Sequence, residues 1–235
     1  MRVCILGANG FIARHIAHEF PESTLFTRKD VNLLDADSVT GCDFDVIIHC
    51  AARGGSRLEQ DDTSVYSDNV NMFMNVYKNC RYKRLIWFSS GASNSQTPYG
   101  RAKHDIEKIV ENDPKVSVIK IWGCFGPGEP AQRLLATGIR EGRVVIQKNR
   151  LFSFVHVRDV VFIVKCIIGG YEQRMIHMVY PGGHVLLSEI LDMARIPYSV
   201  TENDLDEPYT GTWNTELLKP VLCERILEYV SHPVV

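Results

Sequence analysis

The sequence predicts an α/β protein: a Rossmann-type doubly wound parallel sheet with a small C-terminal α+β lid. Three observations carry this. Short apolar runs alternate with amphipathic stretches through the first half of the chain. The runs are unbroken, as expected of parallel strands covered on both faces. The alternation stops at Gly126-Pro127-Gly128, after which strand and helix pieces follow no regular order. Residues 1–124 and 125–235 are the expected divisions, with part of the second returning to the main sheet.

Val3 to Leu6 is a buried strand, and Gly7-Ala8-Asn9-Gly10 is the turn after it. From Phe11 the apolar residues Phe11, Ile12, Ile16, Ala17 and Phe20 recur at helical spacing until Pro21 ends the run. Such a turn brings backbone close to a phosphate and aims a helix N-terminus at it. The spacing is G-x-x-G-x-x-A, with Ala13 in the third place, which differs from the usual G-x-G-x-x-G of dinucleotide folds. A second strand, residues 23–27, is followed by Arg28 and Lys29. An acid at this place binds a free ribose 2′-hydroxyl, whereas an arginine accommodates a 2′-phosphate. The cations favour NADP over NAD, and Arg14 adds a further charge nearby.

A third strand is expected over 31–39, with Asn32, Leu33 and Asp35 approaching the adenine. The clearest buried strand is Val46 to Cys50, and Ala51 and Ala52 after it leave room for a ligand. A loop over 53–62 leads to a helix at 64–80. Leu85 to Phe88 is a strand ending in Ser89 and Ser90, and a helix over 99–112 stops before Pro114. A further strand follows from Val116. The remainder holds a helix near 132–141, a strand at 144–147, the run from Phe152 to Ile168, a strand at 175–180, a helix at 188–195 and a short C-terminal helix.

With 45% hydrophobic and 23% charged residues in 235, the chain has the composition of a soluble globular protein. A net charge of −2 does not suggest a nucleic-acid or membrane surface, and no apolar run is long enough for a membrane helix. The first residues already form a core strand, so no signal peptide is expected. Seven cysteines are scattered singly without C-x-x-C spacing, which points to a reduced, cytoplasmic protein without a metal site.

Tyr99 and Lys103 are one helical turn apart and share a face, and Ser90 ends the preceding strand. A phenol with a pKa near 10 is a poor acid or base at neutrality. An ammonium one turn away stabilises the phenolate. A serine hydroxyl can donate to a substrate carbonyl while the tyrosine delivers a proton, and a nicotinamide would supply the hydride.

The ordered motifs GANGFIA, VIIHCAA, NVNMFMNV, FSS, PYGRAK, IWGCFGPG and FSFVHVRDVV resemble those of the extended short-chain dehydrogenase/reductases, the nucleotide-sugar epimerases, dehydratases and reductases. The resemblance implies that Tyr99 is the acid/base, Lys103 its partner and a ribose ligand, and Ser90 the carbonyl donor, with Ser89 an alternative. It implies cofactor contacts from Gly7, Asn9, Gly10, Phe11, Ile12, Arg14, Arg28, Leu33, Cys50, Ala51, Ala52 and Asn69. Substrate contacts would come from Ser90, Gly91, Ala92, Tyr99, Arg133 and His156, the last two in or near the substrate-binding lid. Arg158 and Asp159 follow His156 in what is expected to be a strand over 152–161, and Arg140, Gln147 and Lys148 are further diphosphate candidates. A homodimer through the helices at 64–80 and 99–112 is implied in the same way.

Departures from the family pattern narrow the chemistry. Gly91, Ala92 and Ser93 stand where dehydratases carry an Asp-Glu pair. Ala92 stands where enzymes that epimerise at two carbons carry a cysteine. Reduction of a nucleotide-linked 4-keto sugar is the expected reaction, with C4 epimerisation on bound NAD as the alternative. A non-catalytic NADP-binding sensor or scaffold is a third reading.

Overall fold

The structure is a computed structural model that describes residues 1–56 and 59–232. Residues 57 and 58 of the loop expected over 53–62 lie outside the described residues. The chain forms two compact units, residues 1–120 with 161–176, and residues 121–160 with 177–235.

The elements run, in order, β1 (Val3–Leu6), α1 (Phe11–Glu19), β2 (Thr24–Phe26), β3 (Asp43–His49), α2 (Ser64–Asn79), β4 (Arg81–Ser90), α3 (Pro98–Val110) and β5 (Val116–Ile121). They continue with β6 (Gly123–Phe125), α4 (Leu134–Glu141), β7 (Val144–Asn149), β8 (Leu151–His156), α5 (Val157–Ile168), β9 (Met175–His177), β10 (His184–Leu186), α6 (Leu187–Met193), β11 (Tyr198–Leu205) and α7 (Leu222–Ser231).

The first unit is built on a six-stranded sheet of order β2-β1-β3-β4-β5-β9. All four residues of β1 are buried, which explains its unbroken apolar sequence. It pairs parallel with β2 on one side and β3 on the other, with Leu6 opposite both Phe26 and His49. The sheet therefore changes its direction of growth at β1, and the crevice at the carboxyl ends of β1 and β3 is where such sheets take ligands. One face packs on α2 and α3, where Phe73, Val76, Ile106 and Val110 close over Ile47, Leu85 and Trp87. Tyr66 and Tyr77 of α2 donate to Asp105 of α3 at 2.6 Å and to Asp113 just beyond it at 2.8 Å, fixing the helix pair.

Two expectations are corrected. The segment 31–39 is not a strand: it holds turns and one short 3₁₀ turn, Asp37–Val39. Asn32 Oδ1 accepts from Leu34 N at 3.3 Å, Asp35 Oδ1 accepts from Asp37 N at 3.1 Å, and Ser38 Oγ donates to Asn32 O. These short side chains satisfy the backbone locally and compete with sheet pairing. The run over 152–161 is not one strand either. β8 ends at His156, and Arg158 lies in the first turn of α5, where Asp159 suits the positive helix end.

The second unit holds the three-stranded sheet β10-β8-β6 and the parallel pair β11-β7. Its buried polar centre is Asp159, which accepts from Arg225 Nε and Nη2 at 2.8 Å each and from Tyr180 Oη at 2.5 Å.

Candidate active site

The turn after β1 is shaped by Gly7, whose φ is +78°. A Cβ there would stand 2.7 Å from Ala51 Cα, so no larger residue fits while the chain after β3 keeps its course. Gly7 N and Ala8 N donate to Phe26 O at 2.9 and 3.1 Å, and Cys50 N donates to Leu6 O at 2.9 Å. The ends of the three strands are thereby laced into one floor. Helix α1 starts at Phe11 with Gly10 as N-cap, no side-chain cap and no acidic residue in its first turn. That end of the helix is suited to an anion.

Above this floor lies a cleft of about 660 Å³. Gly7, Asn9, Gly10, Arg28, Leu33, Cys50, Ala51 and Ala52, all expected cofactor residues, line it. Phe11, Ile12 and Arg14 belong to the first turns of α1 and do not line it. Asp30, the acid nearest the end of β2, does not face the cleft. Its carboxylate accepts from Thr27 N at 2.8 Å and from Thr27 Oγ1 at 2.6 Å, and these bonds hold it below the usual carboxylate range. The cation Arg28 thus stands in the wall, and Asp30 is not among the residues that line it.

The sequence reading missed Arg53 and Asp68 in this wall. Arg53 is held by Asp62 at 2.7 Å and by Asp68 and Ser64. Its position directly after Ala51-Ala52 was the available signal. Asn69 is not in the wall. It braces the loop instead, with Oδ1 accepting from Arg53 N at 3.0 Å and Nδ2 donating to Arg53 O and Val65 O at 2.8 and 2.7 Å.

The same loop reaches Tyr99. A Cβ on Gly55, whose φ is +72°, would come within 2.8 Å of the Tyr99 ring, so glycine lets the loop lie against the phenol's face. Helix α3 is started by Thr97, which accepts from Gly100 N at 3.1 Å, and by Pro98 in its first turn. This places Tyr99 and Lys103 one turn apart, with Lys103 on the buried face. Lys103 is 3% exposed. Its Nζ donates to Phe88 O at 2.7 Å and lies 4.6 Å from the Trp87 ring centroid and 5.4 Å from that of Tyr99. Burial lowers its pKa to about 7, against the opposing charge of Glu107.

Adjacent residues of a strand face opposite ways, and this separates the two serines. Ser89 is buried and donates to Glu107. Ser90 ends β4 and accepts from Ala92 N at 3.2 Å, capping the short turn Gly91–Asn94. Gly91 and Ala92 sit in that turn directly after Ser90. Ser90, Tyr99 and Lys103 thus sit at the end of β4 and the start of α3, within the unit that carries the cleft. A phenol with an ammonium on the same helix face can exchange a proton with a carbonyl oxygen, and a hydroxyl beside it can polarise that carbonyl.

His49 ends β3 beneath this group, 2% exposed and stacked on Phe73 at 6.0 Å. Burial, then the Lys103 charge, lower its pKa to about 4. The unfolded chain therefore binds the proton first as pH falls. Stability is full above the unfolded histidine pKa near 6.5 and is lost toward pH 4, by roughly 3 kcal/mol. Urea midpoints measured across that window should show this loss in the native chain and a flatter profile in His49→Leu.

The remaining expected residues lie in the second unit. Arg133 donates to Cys124 O, and Arg140 donates to Ala131 O at 2.8 Å and pairs with Glu141 at 2.7 Å. His156 is buried, and its Nδ1 accepts from Arg158 N at 3.2 Å. Arg158 pairs with Glu228 at 3.1 Å. Gln147 and Lys148 line a separate cavity of about 390 Å³ with Arg150, Glu202 and Asp206. Its cations are paired, Lys148 with Glu202 at 3.2 Å and Arg150 with Asp206 at 2.6 Å. Neither Arg133 nor His156 lines it. Among the described residues no helix is long and apolar enough to cross a membrane.

Residues 3–176 match the profile of the NAD dependent epimerase/dehydratase family. Comparison with curated proteins gave no match. Among solved structures, the chain is similar to a dTDP-4-dehydrorhamnose reductase ortholog from Clostridium acetobutylicum, with 17% identity over 98% of this chain and 99% of that one and a TM-score of 0.76. It is similar to RMD from Pseudomonas aeruginosa complexed with NADPH, with 15% identity over 98% of each chain and a TM-score of 0.77. It is also similar to MoeE5 in complex with UDP-glucose and NAD, with 17% identity over 98% of each chain and a TM-score of 0.74. At these identities the likeness establishes the fold.

Proposed function

The chain belongs to the NAD dependent epimerase/dehydratase family, and on that premise we propose that it is an NADP(H)-dependent reductase of a nucleotide-linked 4-keto sugar. The observation that carries this is the buried Lys103 ammonium fixed beside the Tyr99 ring, in the same unit as a cleft with Arg28 in its wall. When bound, the nicotinamide supplies the hydride. Ser90 donates to the substrate carbonyl oxygen, and Tyr99 delivers the proton to that oxygen as it becomes a hydroxyl. Lys103 stabilises the phenolate left behind. Gly91, Ala92 and Ser93 after the serine offer no acid for eliminating water, which argues against dehydration.

Incubation with NADPH and a panel of nucleotide-4-ketosugars tests this. Oxidation of NADPH with at least one of them is expected, and none with any of them would overturn the reading. The NAD in the MoeE5 complex supports a second reading, C4 epimerisation with retained NAD. Tightly held NAD in the purified protein, with sugar interconversion and no net redox change, would favour it.

Arg28→Ala tests the cofactor. Losing a charge-assisted contact to the 2′-phosphate should weaken NADPH binding about tenfold to a hundredfold. NADH affinity, measured in the same fluorescence titration, should stay within about twofold because NADH carries no such phosphate.

A further inference from the structure

Glu107 lies one turn beyond Lys103 on α3, so the two share a helix face. Its side chain is 14% exposed, and that of its partner Lys120 is 10% exposed. Oε1 accepts from Ser89 Oγ, and Oε2 accepts from Ser93 Oγ and from Lys120 Nζ at 3.3 Å each. One carboxylate thus ties α3 to the end of β4, to the turn after Ser90 and to β5. These are the parts that hold Ser90, Tyr99 and Lys103.

We propose that Glu107 is a positioning residue for this site: it is the buried counter-charge for Lys103 one helical turn away, and Lys120 competes with Lys103 for the same carboxylate. The proposal rests on the Tyr99–Lys103 reading above. The groups that face Lys103 come from three places. Tyr99 and Glu107 belong to α3, and the Trp87 ring and Phe88 O belong to β4. His49 and Cys50 stand at the end of β3. Burial holds His49 down to about 4 and Cys50 up to about 12, so both are neutral near pH 7. Glu107 is then the anion that opposes the desolvation of Lys103, and it is faced in turn by Lys120, Ser89 and Ser93.

The test is a titration of the Lys103 ε-carbon by NMR in the full chain, with and without NADPH, assigned by loss of the signal in Lys103→Met. Glu107→Gln should lower the Lys103 midpoint by about one pH unit. Lys120→Met should raise it, because the same carboxylate then faces one cation fewer. The opposite signs separate a charge effect from loosening. Equal downward shifts in both variants, or no shift in Glu107→Gln, would overturn the proposal. The Lys120→Met arm decides the question if Glu107→Gln fails to fold. In turnover, Glu107→Gln should move the alkaline limb of kcat to lower pH with the KM for NADPH unchanged. The titration needs no turnover. Expected midpoints without activity toward any ketosugar would therefore sink the reductase reading and leave this one standing.

Discussion

Tyr99→Phe is expected to lower kcat by about a thousandfold while NADPH binding stays within about twofold, because general acid catalysis of this kind contributes roughly 10²–10⁴. The substitution removes one hydroxyl and keeps the ring. The ring is what packs against Gly55 and lies 5.4 Å from Lys103 Nζ, so the packing around it is preserved, and the ring is not among the residues that line the cleft. Lys103 keeps its bond to Phe88 O, and Ser90 keeps its place capping the turn after β4. What is lost is the proton donor. Water can replace it only inefficiently, because it lacks the ammonium partner held at fixed distance. Steady-state kinetics and a binding titration on the same preparation check both halves. A Phe variant that keeps more than about a tenth of the native turnover would assign the proton to another group, since a general acid is worth more than that. Binding intact with biological activity also intact would favour the sensor or scaffold reading.

The parts of the architecture that were legible were those where one physical demand acts on consecutive residues. β1 and the carboxyl half of β3 are buried on both faces, and that burial leaves unbroken apolar sequence. α3 was legible because Pro98 and the Lys103-Ile106-Val110 spacing both belong to a helix. The segment 31–39 was not, because Val31, Leu33 and Leu34 look like a strand while Asn32 and Asp35 turn the backbone by bonds that no periodicity reports. β10 and β11 are short or mostly exposed strands whose partners are far away in the chain, so pairing rather than local pattern defines them.

The candidate site divides in the same way. Tyr99 and Lys103 were visible because a helix brings residues four apart together. The cleft wall was visible where a glycine or small residue was required, as at Gly7, Ala51 and Ala52. Arg53 and Glu107 were not, since each acts through bonds to residues distant in sequence. That Ser89 rather than Ser90 faces Glu107 was not legible either, since it depends on the strand's facing.

Lys103→Met is expected to lose activity and gain stability together. The loss follows from removing the charge that stabilises the Tyr99 phenolate, and should reach about a hundredfold or more in kcat. The gain follows from burial. Desolvation lowers the folded pKa to about 7 from an ordinary 10.5, so between those values the unfolded chain holds the proton that the folded chain has released. The buried cation therefore costs stability in full below about pH 7, and the cost fades as pH rises toward 10.5. Methionine carries no charge, fills a similar volume beside Trp87 and leaves Glu107 paired with Lys120. It forfeits the bond to Phe88 O and the contact with the indole face, which offsets part of the gain. A net stabilisation of about 2 kcal/mol at neutral pH, shrinking in alkaline buffer, is the expected result. Urea unfolding at several pH values reads it directly. A variant less stable than the native chain at every pH would mean that the Phe88 bond outweighs the desolvation. The lysine would then belong to the fold's framework as much as to its chemistry.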